Sequence, residues 1–218
     1  MRRPYADRTA AGQAVAEELG AVHGSVLVLG LARGGVPVAA PVADALDAEL
    51  DVLIVRKLGL PGQPELAMGA IAGVGEELHV VHNQQIAQHV DPEVLEAVRV
   101  NEVLELRRRE RAYRGDRPPI DVLERMVILV DDGLATGSTM RAAVEAVRRQ
   151  QPAGVIVAVP VGAMETCRSL SRIADQVVCA WHPRYFNAVG QAYRDFSAVS
   201  DDEVRRVLAE TTARRPDR

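Results

Sequence analysis

The chain has 218 residues, 48% of them apolar, and a formal net charge of −4. That length and apolar share suffice for one α/β domain with a sizeable core, and the acidic balance disfavours a general nucleic-acid or membrane-surface binder, which carries a basic excess. No apolar run approaches the roughly 18 residues of a membrane span, and MRRPYADRTA is followed by AGQAVAEELG in place of an apolar signal core. A cytoplasmic protein with no membrane or nucleic-acid partner is expected. Cys167 and Cys179 lie outside CxxC or His/Cys metal spacings, and two thiols make no disulfide framework. Both are expected as small buried residues in a reducing compartment.

Asp7 to Leu19 has the spacing of an amphipathic helix, with Ala10, Ala14, Val15 and Leu19 on one side. SVLVLGL (Ser25 to Leu31) predicts a buried strand, ARGG a glycine turn, and VPVAAPVADAL a helix. DVLIV (Asp51 to Val55) predicts a second strand ending in Arg56 and Lys57, and the prolines and glycines of LGLPGQPE (Leu58 to Glu65) predict a mobile loop. LAMGAIAG and LHVVH predict a third and a fourth strand. Asp91, Pro92 and Glu93 supply an N-cap, a first-turn proline and an acidic first turn for a long charged helix to about Tyr113, stopped by DRPP. MVILV, GVIVAVPVG and QVVCA are further apolar strands separated by helices, and TTARRPDR is expected as a frayed tail. Apolar strands alternating with helices predict an α/β fold, a mainly parallel sheet with helices on both faces.

Ligands of such sheets bind where loops leave the carboxyl ends of strands, and two loops qualify here. In VILVDDGLATGST (Val127 to Thr139), Thr136, Gly137, Ser138 and Thr139 open a helix, whose unpaired N–H groups and positive dipole end favour phosphate. Asp131 and Asp132 would repel a phosphate unless they faced hydroxyls or a metal. A ligand with a phosphate at one end and a vicinal diol in the middle satisfies both halves, whereas an ordinary strand-to-helix turn needs a single capping residue. A P-loop is excluded because Gly133 and Gly137 are separated by three residues and no lysine follows. A dinucleotide site is excluded because the first strand ends in GLARGG, not GxGxxG.

Four apolar residues, two acidic residues, a short spacer and TGST resemble the diphosphoribosyl-binding motif of type I phosphoribosyltransferases. The resemblance implies that Asp131 and Asp132 hold the ribose hydroxyls, directly or with a metal, and that Ala135, Thr136, Gly137, Ser138 and Thr139 hold the 5′-phosphate. ARGG is similar to the family's pyrophosphate loop, which gives that role to Arg33, Gly34 and Gly35. Arg56 and Lys57, followed by a glycine-rich segment, resemble the arrangement in orotate phosphoribosyltransferases, which implies that they too serve pyrophosphate and that the following loop closes over the site. Asp131, Asp132 and Lys57 are thus the expected catalytic residues and Mg²⁺ the expected cofactor. The expected organisation is a single domain over 1–218, with a core at about 21–180 and a small hood from about 1–20 and 181–212. A homodimer using 5-phosphoribosyl 1-diphosphate and a small nitrogen nucleophile is expected.

The nucleophile is less defined. In 6-oxopurine phosphoribosyltransferases the residue before TG is usually Asp, and this chain has Ala135, which weighs against hypoxanthine or guanine. HPRYFNAVGQAYRDF (His182 to Phe196) is loosely similar to their base-proximal stretch, with Arg184 where an acid is common. Trp181, Tyr185 and Phe186 either stack on a base or fill the core. The run RRRERAYRGDR, interleaved with glutamates, predicts a solvated helix face, and the scattered His79, His82, His89 and His182 show no metal spacing. A non-catalytic sensor of phosphoribosyl diphosphate is the alternative to an enzyme.

Overall fold

The computed structural model describes residues 4–75, 77–115, 117–119 and 121–214, without the side chains of residues 64 and 65. Asp116 of the predicted DRPP stop and residues 215–218 of the predicted tail lie outside the described residues. One seven-stranded sheet has the order β4-β3-β2-β1-β5-β6-β7. Strands β1 (Val26–Leu31), β2 (Glu49–Leu60), β5 (Met126–Val130), β6 (Gly154–Val159) and β7 (Gln176–Cys179) are parallel. Strands β3 (Gln63–Val74) and β4 (Glu77–His82) extend the β2 edge antiparallel.

The parallel strands are apolar throughout because both faces are covered, and alternate residues feed different cores. Val28, Val52, Ile54, Ile128 and Val130 meet helices α1 (Arg8–Leu19), α2 (Gly35–Ala45), α4 (Pro92–Arg114) and α7 (Asp201–Ala213) on one face. Leu27, Leu29, Leu53, Val127, Leu129, Val155 and Val157 meet α5 (Ser138–Arg148) and α6 (Met164–Leu170) on the other. A short helix α3 (Gln84–Ala87) follows β4. The chain crosses from β1 through α2 to β2 on one side, then returns to β5 on the other side of β1 and continues outward. Neighbouring crossovers therefore diverge between β1 and β5, and a crevice opens at their carboxyl ends.

The predicted elements are present, with two corrections. The segment expected as a loop, Leu58 to Glu65, is the tip of a β-hairpin: β2 runs on to Leu60 and β3 begins at Gln63. Pro61 and Gly62, at φ 81°, occupy the central positions of the turn. Proline followed by a positive-φ glycine is a type II turn signal as well as a loop signal, and the register shifts at Leu58/Gly59 and Gly59/Leu60 accommodate it. The expected frayed tail is the last turn of α7 as far as Ala213, where buried Thr211 donates its hydroxyl to Val207 O at 3.0 Å.

Helix α4 begins as its sequence indicates, with Asp91 accepting from the Glu93 amide at 2.8 Å. Most of the basic run behaves as a solvated face, with Arg107, Arg108 and Arg109 paired to Glu110 and Glu105 of the same helix. Arg114 is different. Its buried guanidinium meets the buried Asp51 carboxylate at 2.8 Å and donates to Val52 O at 2.9 Å, pinning α4 to β2. Burial pushes the Asp51 carboxyl above its ordinary value even though Arg114 opposes the shift. Arg114→Met leaves that carboxylate without its cation and is expected to cost about 3–5 kcal/mol in a denaturant titration, with Asp51→Asn recovering part of the loss.

Candidate active site

The crevice is built from the two loops that leave β1 and β5. After Val130 the strand ends in Asp131, whose Oδ1 accepts the Asp132 amide at 2.9 Å. Asp131 has no cationic partner within ion-pair distance, and its second oxygen has no hydrogen-bond donor among the described residues. Burial first, and then the neighbouring Asp132 charge, push its carboxyl well above the ordinary aspartate value. Asp132 is held differently: Arg8 of α1 donates to its Oδ2 through Nε at 3.0 Å and Nη2 at 2.9 Å. Burial also raises Asp132, against the pull of Arg8.

Arg8 is itself fixed by Ser197 O, at 2.8 Å from Nη1, and by the Phe196 ring, whose centroid lies 4.1 Å from the guanidinium carbon. Tyr193 donates its hydroxyl to Asp132 O at 2.6 Å. The segment before α1 and the segment before α7 meet to place these groups. The Tyr5 amide donates to Ala192 O at 2.8 Å and the Arg194 amide to Tyr5 O at 2.8 Å. Arg8 and Tyr193 were not anticipated as partners of Asp132, since 124 and 61 residues separate them from it.

Beyond Asp132 the loop is stitched down. Leu134 is buried, its amide donates to Val161 O at 2.9 Å, and its carbonyl accepts from Ala163 at 3.1 Å. Thr166, also unanticipated, donates its hydroxyl to Ala135 O at 2.7 Å. Gly137 adopts φ 73° at the N-cap of α5, and a Cβ there would lie 2.5 Å from Thr166 Cγ2, so conformation and space both require glycine. No side chain caps α5, and the exposed Thr136 and Ser138 hydroxyls stand 3.3 Å apart at its mouth. Uncapped amides and a positive dipole end beside two exposed hydroxyls are features that suit an anion.

The ARGG loop lies directly against the carboxylates. A Cβ on Gly34 would fall 2.0 Å from Asp132 Oδ2, and one on Gly35 would fall 2.4 Å from Val130 O. Arg33 reaches Asp201 at the start of α7, at 3.5 Å, and Tyr113 donates to the same carboxylate oxygen at 2.7 Å. Of the expected site residues, Asp131, Asp132, 135–139 and 33–35 therefore share one crevice. Arg56 does not join them: it faces α4 and pairs with Glu102 at 2.7 Å. Lys57 points to the α5 side and is exposed, with no ion pair among the described residues. It lies four residues past Leu53, the partner of the β1 terminus Leu31, or roughly 13 Å along the hairpin at ~3.3 Å per residue.

The aromatic residues separate as well. Trp181 and Phe186 pack with Tyr5, Val161, Val189 and Tyr193, Trp181 standing edge-on to Tyr5 at 6.3 Å. Tyr185 is 82% exposed, with the Arg184 guanidinium carbon 5.9 Å from its ring centroid.

Comparisons with known proteins agree with this geometry. The family description "Phosphoribosyl transferase domain" matches residues 5–181. Two proteins of Mycobacterium tuberculosis, from strains CDC 1551 / Oshkosh and ATCC 25618 / H37Rv, each carry the name "Putative phosphoribosyl transferase" and are 45% identical over 203 residues. Those matches cover 92% of this chain but 45% of each relative, so the chain spans about half the length of the curated relatives it matches. The crystal structure of TT1426 from Thermus thermophilus superposes with a TM-score of 0.80 at 43% identity, covering 96% of this chain and 99% of that one. The chain belongs to the phosphoribosyl transferase domain family, and its mainly parallel α/β sheet is the architecture that the motif resemblance implied. Among the described residues no helix is long and apolar enough to cross a membrane.

The raised Asp131 carboxyl has a consequence for stability. Because its folded-state value lies above the unfolded one, Asp131 supports the fold while protonated and weakens it as pH rises from the ordinary aspartate value through the raised one. Asp131→Asn keeps an oxygen for the Asp132 amide and removes the charge. Its melting temperature is expected to exceed that of the unmodified protein by a few degrees at neutral pH, with the gap closing toward about pH 4. An unchanged gap across that range in a calorimetric pH series would show that another group carries the effect.

Proposed function

We propose that the chain transfers the phosphoribosyl group of 5-phosphoribosyl 1-diphosphate to a nitrogen nucleophile and releases pyrophosphate. One observation carries this reading: a carboxylate pair and an uncapped helix N-terminus share a single strand end, with a glycine backbone packed against the second carboxylate. A 5′-phosphate fits the amides and hydroxyls of 135–139, and the ribose diol fits Asp131 and Asp132. Pyrophosphate then falls to the ARGG amides, Arg33 and the unpaired Lys57 on the hairpin. In this reading Arg56 anchors the hairpin to α4 through Glu102 and leaves the anion to Lys57.

Bond breaking at the anomeric carbon leaves positive charge on the sugar and adds negative charge to pyrophosphate. Asp131 and Asp132 oppose the first, while Arg33, Lys57 and the loop amides stabilise the second. Adjacent carboxylates, one with an unengaged oxygen, are the hard donor set that suits Mg²⁺, which is held by one or two carboxylates together with substrate oxygens. Asp131 and Asp132 would hold the ion, which would supply positive charge to offset that of pyrophosphate. Tyr185, exposed with the Arg184 guanidinium 5.9 Å from its ring centroid, is the candidate to stack on an incoming base.

A second reading, a non-catalytic sensor of the same ligand, draws on the Arg8 contact: a diol at Asp132 must share or displace that guanidinium, coupling occupancy to α1 and to the segment at Ser197.

A pyrophosphate-release screen with Mg²⁺, phosphoribosyl diphosphate and a panel of purines, pyrimidines and simple amines separates the two. Turnover supports the enzyme, and binding without turnover on any nucleophile supports the sensor. Asp132→Asn is expected to lower turnover by at least about tenfold, roughly 1.4 kcal/mol of transition-state stabilisation. Gly34→Ala should match it, because its φ of −62° and ψ of −30° suit alanine and only the Asp132 carboxylate stands in the way. Lys57→Ala should lower turnover more than affinity for ribose 5-phosphate. Equal losses in both would remove Lys57 from the leaving-group side.

A further inference from the structure

Two cysteines and a histidine without a metal spacing in the sequence converge beneath the phosphate loop. Cys167 lies in α6, Cys179 closes β7, and His182 opens the segment after it. One ligand atom from each, two sulfurs and a ring nitrogen, all lie within 4.8 Å of one another. Among the described residues no other group of three histidine, cysteine, aspartate or glutamate side chains is drawn together in this way. The expectation that the cysteines are merely small buried residues fits Cys167 alone, since Cys179 is half-buried and His182 is exposed.

We propose that Cys167, Cys179 and His182 form a binding site for a thiophilic divalent cation, Zn²⁺ by its ligand chemistry. Two thiolates and an imidazole are the soft and borderline donors that Zn²⁺ selects over Mg²⁺. Bond lengths of ~2.3 Å to sulfur and ~2.0 Å to nitrogen in a tetrahedron place the donors roughly 3.5–3.8 Å apart. The observed group is thus at most about an ångström looser than a loaded site, a gap that side-chain rotation closes.

Space is kept for the ion as well. A Cβ on Gly162 would lie 3.0 Å from Cys167 Sγ and 3.4 Å from Cys179 Sγ, so the missing side chain keeps the backbone side of the thiol pair open. His182 Nδ1 sits 3.1 Å from Gly162 O, which anchors the ring and leaves its other nitrogen available. An exposed histidine on one side leaves the fourth position to water.

Cys167 neighbours Thr166, whose hydroxyl holds Ala135 O and whose methyl covers Gly137. A bound cation therefore ties α6, β7 and the segment after β7 together directly under the phosphate cradle. Binding releases the thiol protons, including the one Cys179 donates to Trp181 O at 3.3 Å. The site is independent of the proposed transfer reaction.

The test is a Co²⁺ titration of the reduced, metal-free full chain. A thiolate-to-cobalt charge-transfer band, the d–d intensity of a four-coordinate centre, and loss of both on adding Zn²⁺ are expected. Cys179→Ser and His182→Asn lie at half-buried and exposed positions, so both should fold, and each should weaken Co²⁺ affinity by at least about tenfold. Zn²⁺ should raise the melting temperature of the unmodified protein and leave that of His182→Asn unmoved. Absence of the charge-transfer band in the folded, reduced protein overturns the proposal. So does oxidation of the two thiols to a disulfide without any cobalt uptake, and so does cobalt binding that is lost in Asp132→Asn but kept in Cys179→Ser, which would place the ion at the carboxylates.

Discussion

Everything in the candidate site depends on how closely the loop after β1 can approach the end of β5. The two strands are hydrogen-bonded neighbours, with Gly30 opposite Val130, and the chain must turn sharply after each without collision. Glycines make this possible. A Cβ at Gly30 would meet the Val36 Cα at 2.8 Å, one at Gly35 the Val130 carbonyl at 2.4 Å, and one at Gly34 the Asp132 carboxylate at 2.0 Å. With any of these filled, the ARGG amides would move away from the carboxylates and the two loops would no longer address one ligand. The diverging crossovers create the crevice, and the missing side chains let backbone donors line it.

That closeness has an electrostatic cost. Two adjacent aspartates are partly withdrawn from water, and burial disfavours the charge on both. Arg8 offsets the cost at Asp132, and nothing comparable reaches Asp131. Carboxyl groups perturbed in this way are a pattern found at functional sites. Arg8 also links the segment before α1 to the segment before α7. The Tyr5 and Tyr193 backbones, the Phe196 ring and the Ser197 carbonyl fix α1 so that its first residue reaches the strand end.

The hairpin formed by β2 and β3 is the other extension of the site. Arg56 and Lys57 are consecutive, so alternation sends them to opposite faces. One finds Glu102 on α4 and the other is left facing the α5 side without a partner among the described residues. A pair that looks like one basic patch in a linear string becomes an anchor and a free cation once the strand continues through it. The same continuation replaces the expected loop, because proline and glycine at the two central positions of a turn close a hairpin as readily as they break a strand.

Local chemistry determined much of this protein. Buried parallel strands need continuous apolar runs, helix starts need caps, and an anion site needs an open helix N-terminus, so the α/β class, the α4 boundary and the Asp131 to Thr139 motif are all legible in the string. Spacing within one segment carries those signals. Arg8, Tyr193 and Thr166 were not legible, because each acts on the motif from a distant part of the chain through a contact that only packing creates. Arg56 and Lys57 were legible as cations but not as cations on different faces. Cys167 and His182 are likewise silent as a pair until β7 and α6 lie side by side. The residues that can hold a ligand are written locally. Which of them share a pocket, which are neutralised by a partner, and which remain free were decided by the tertiary structure, because charge and coordination depend on distance in space and not on position along the chain.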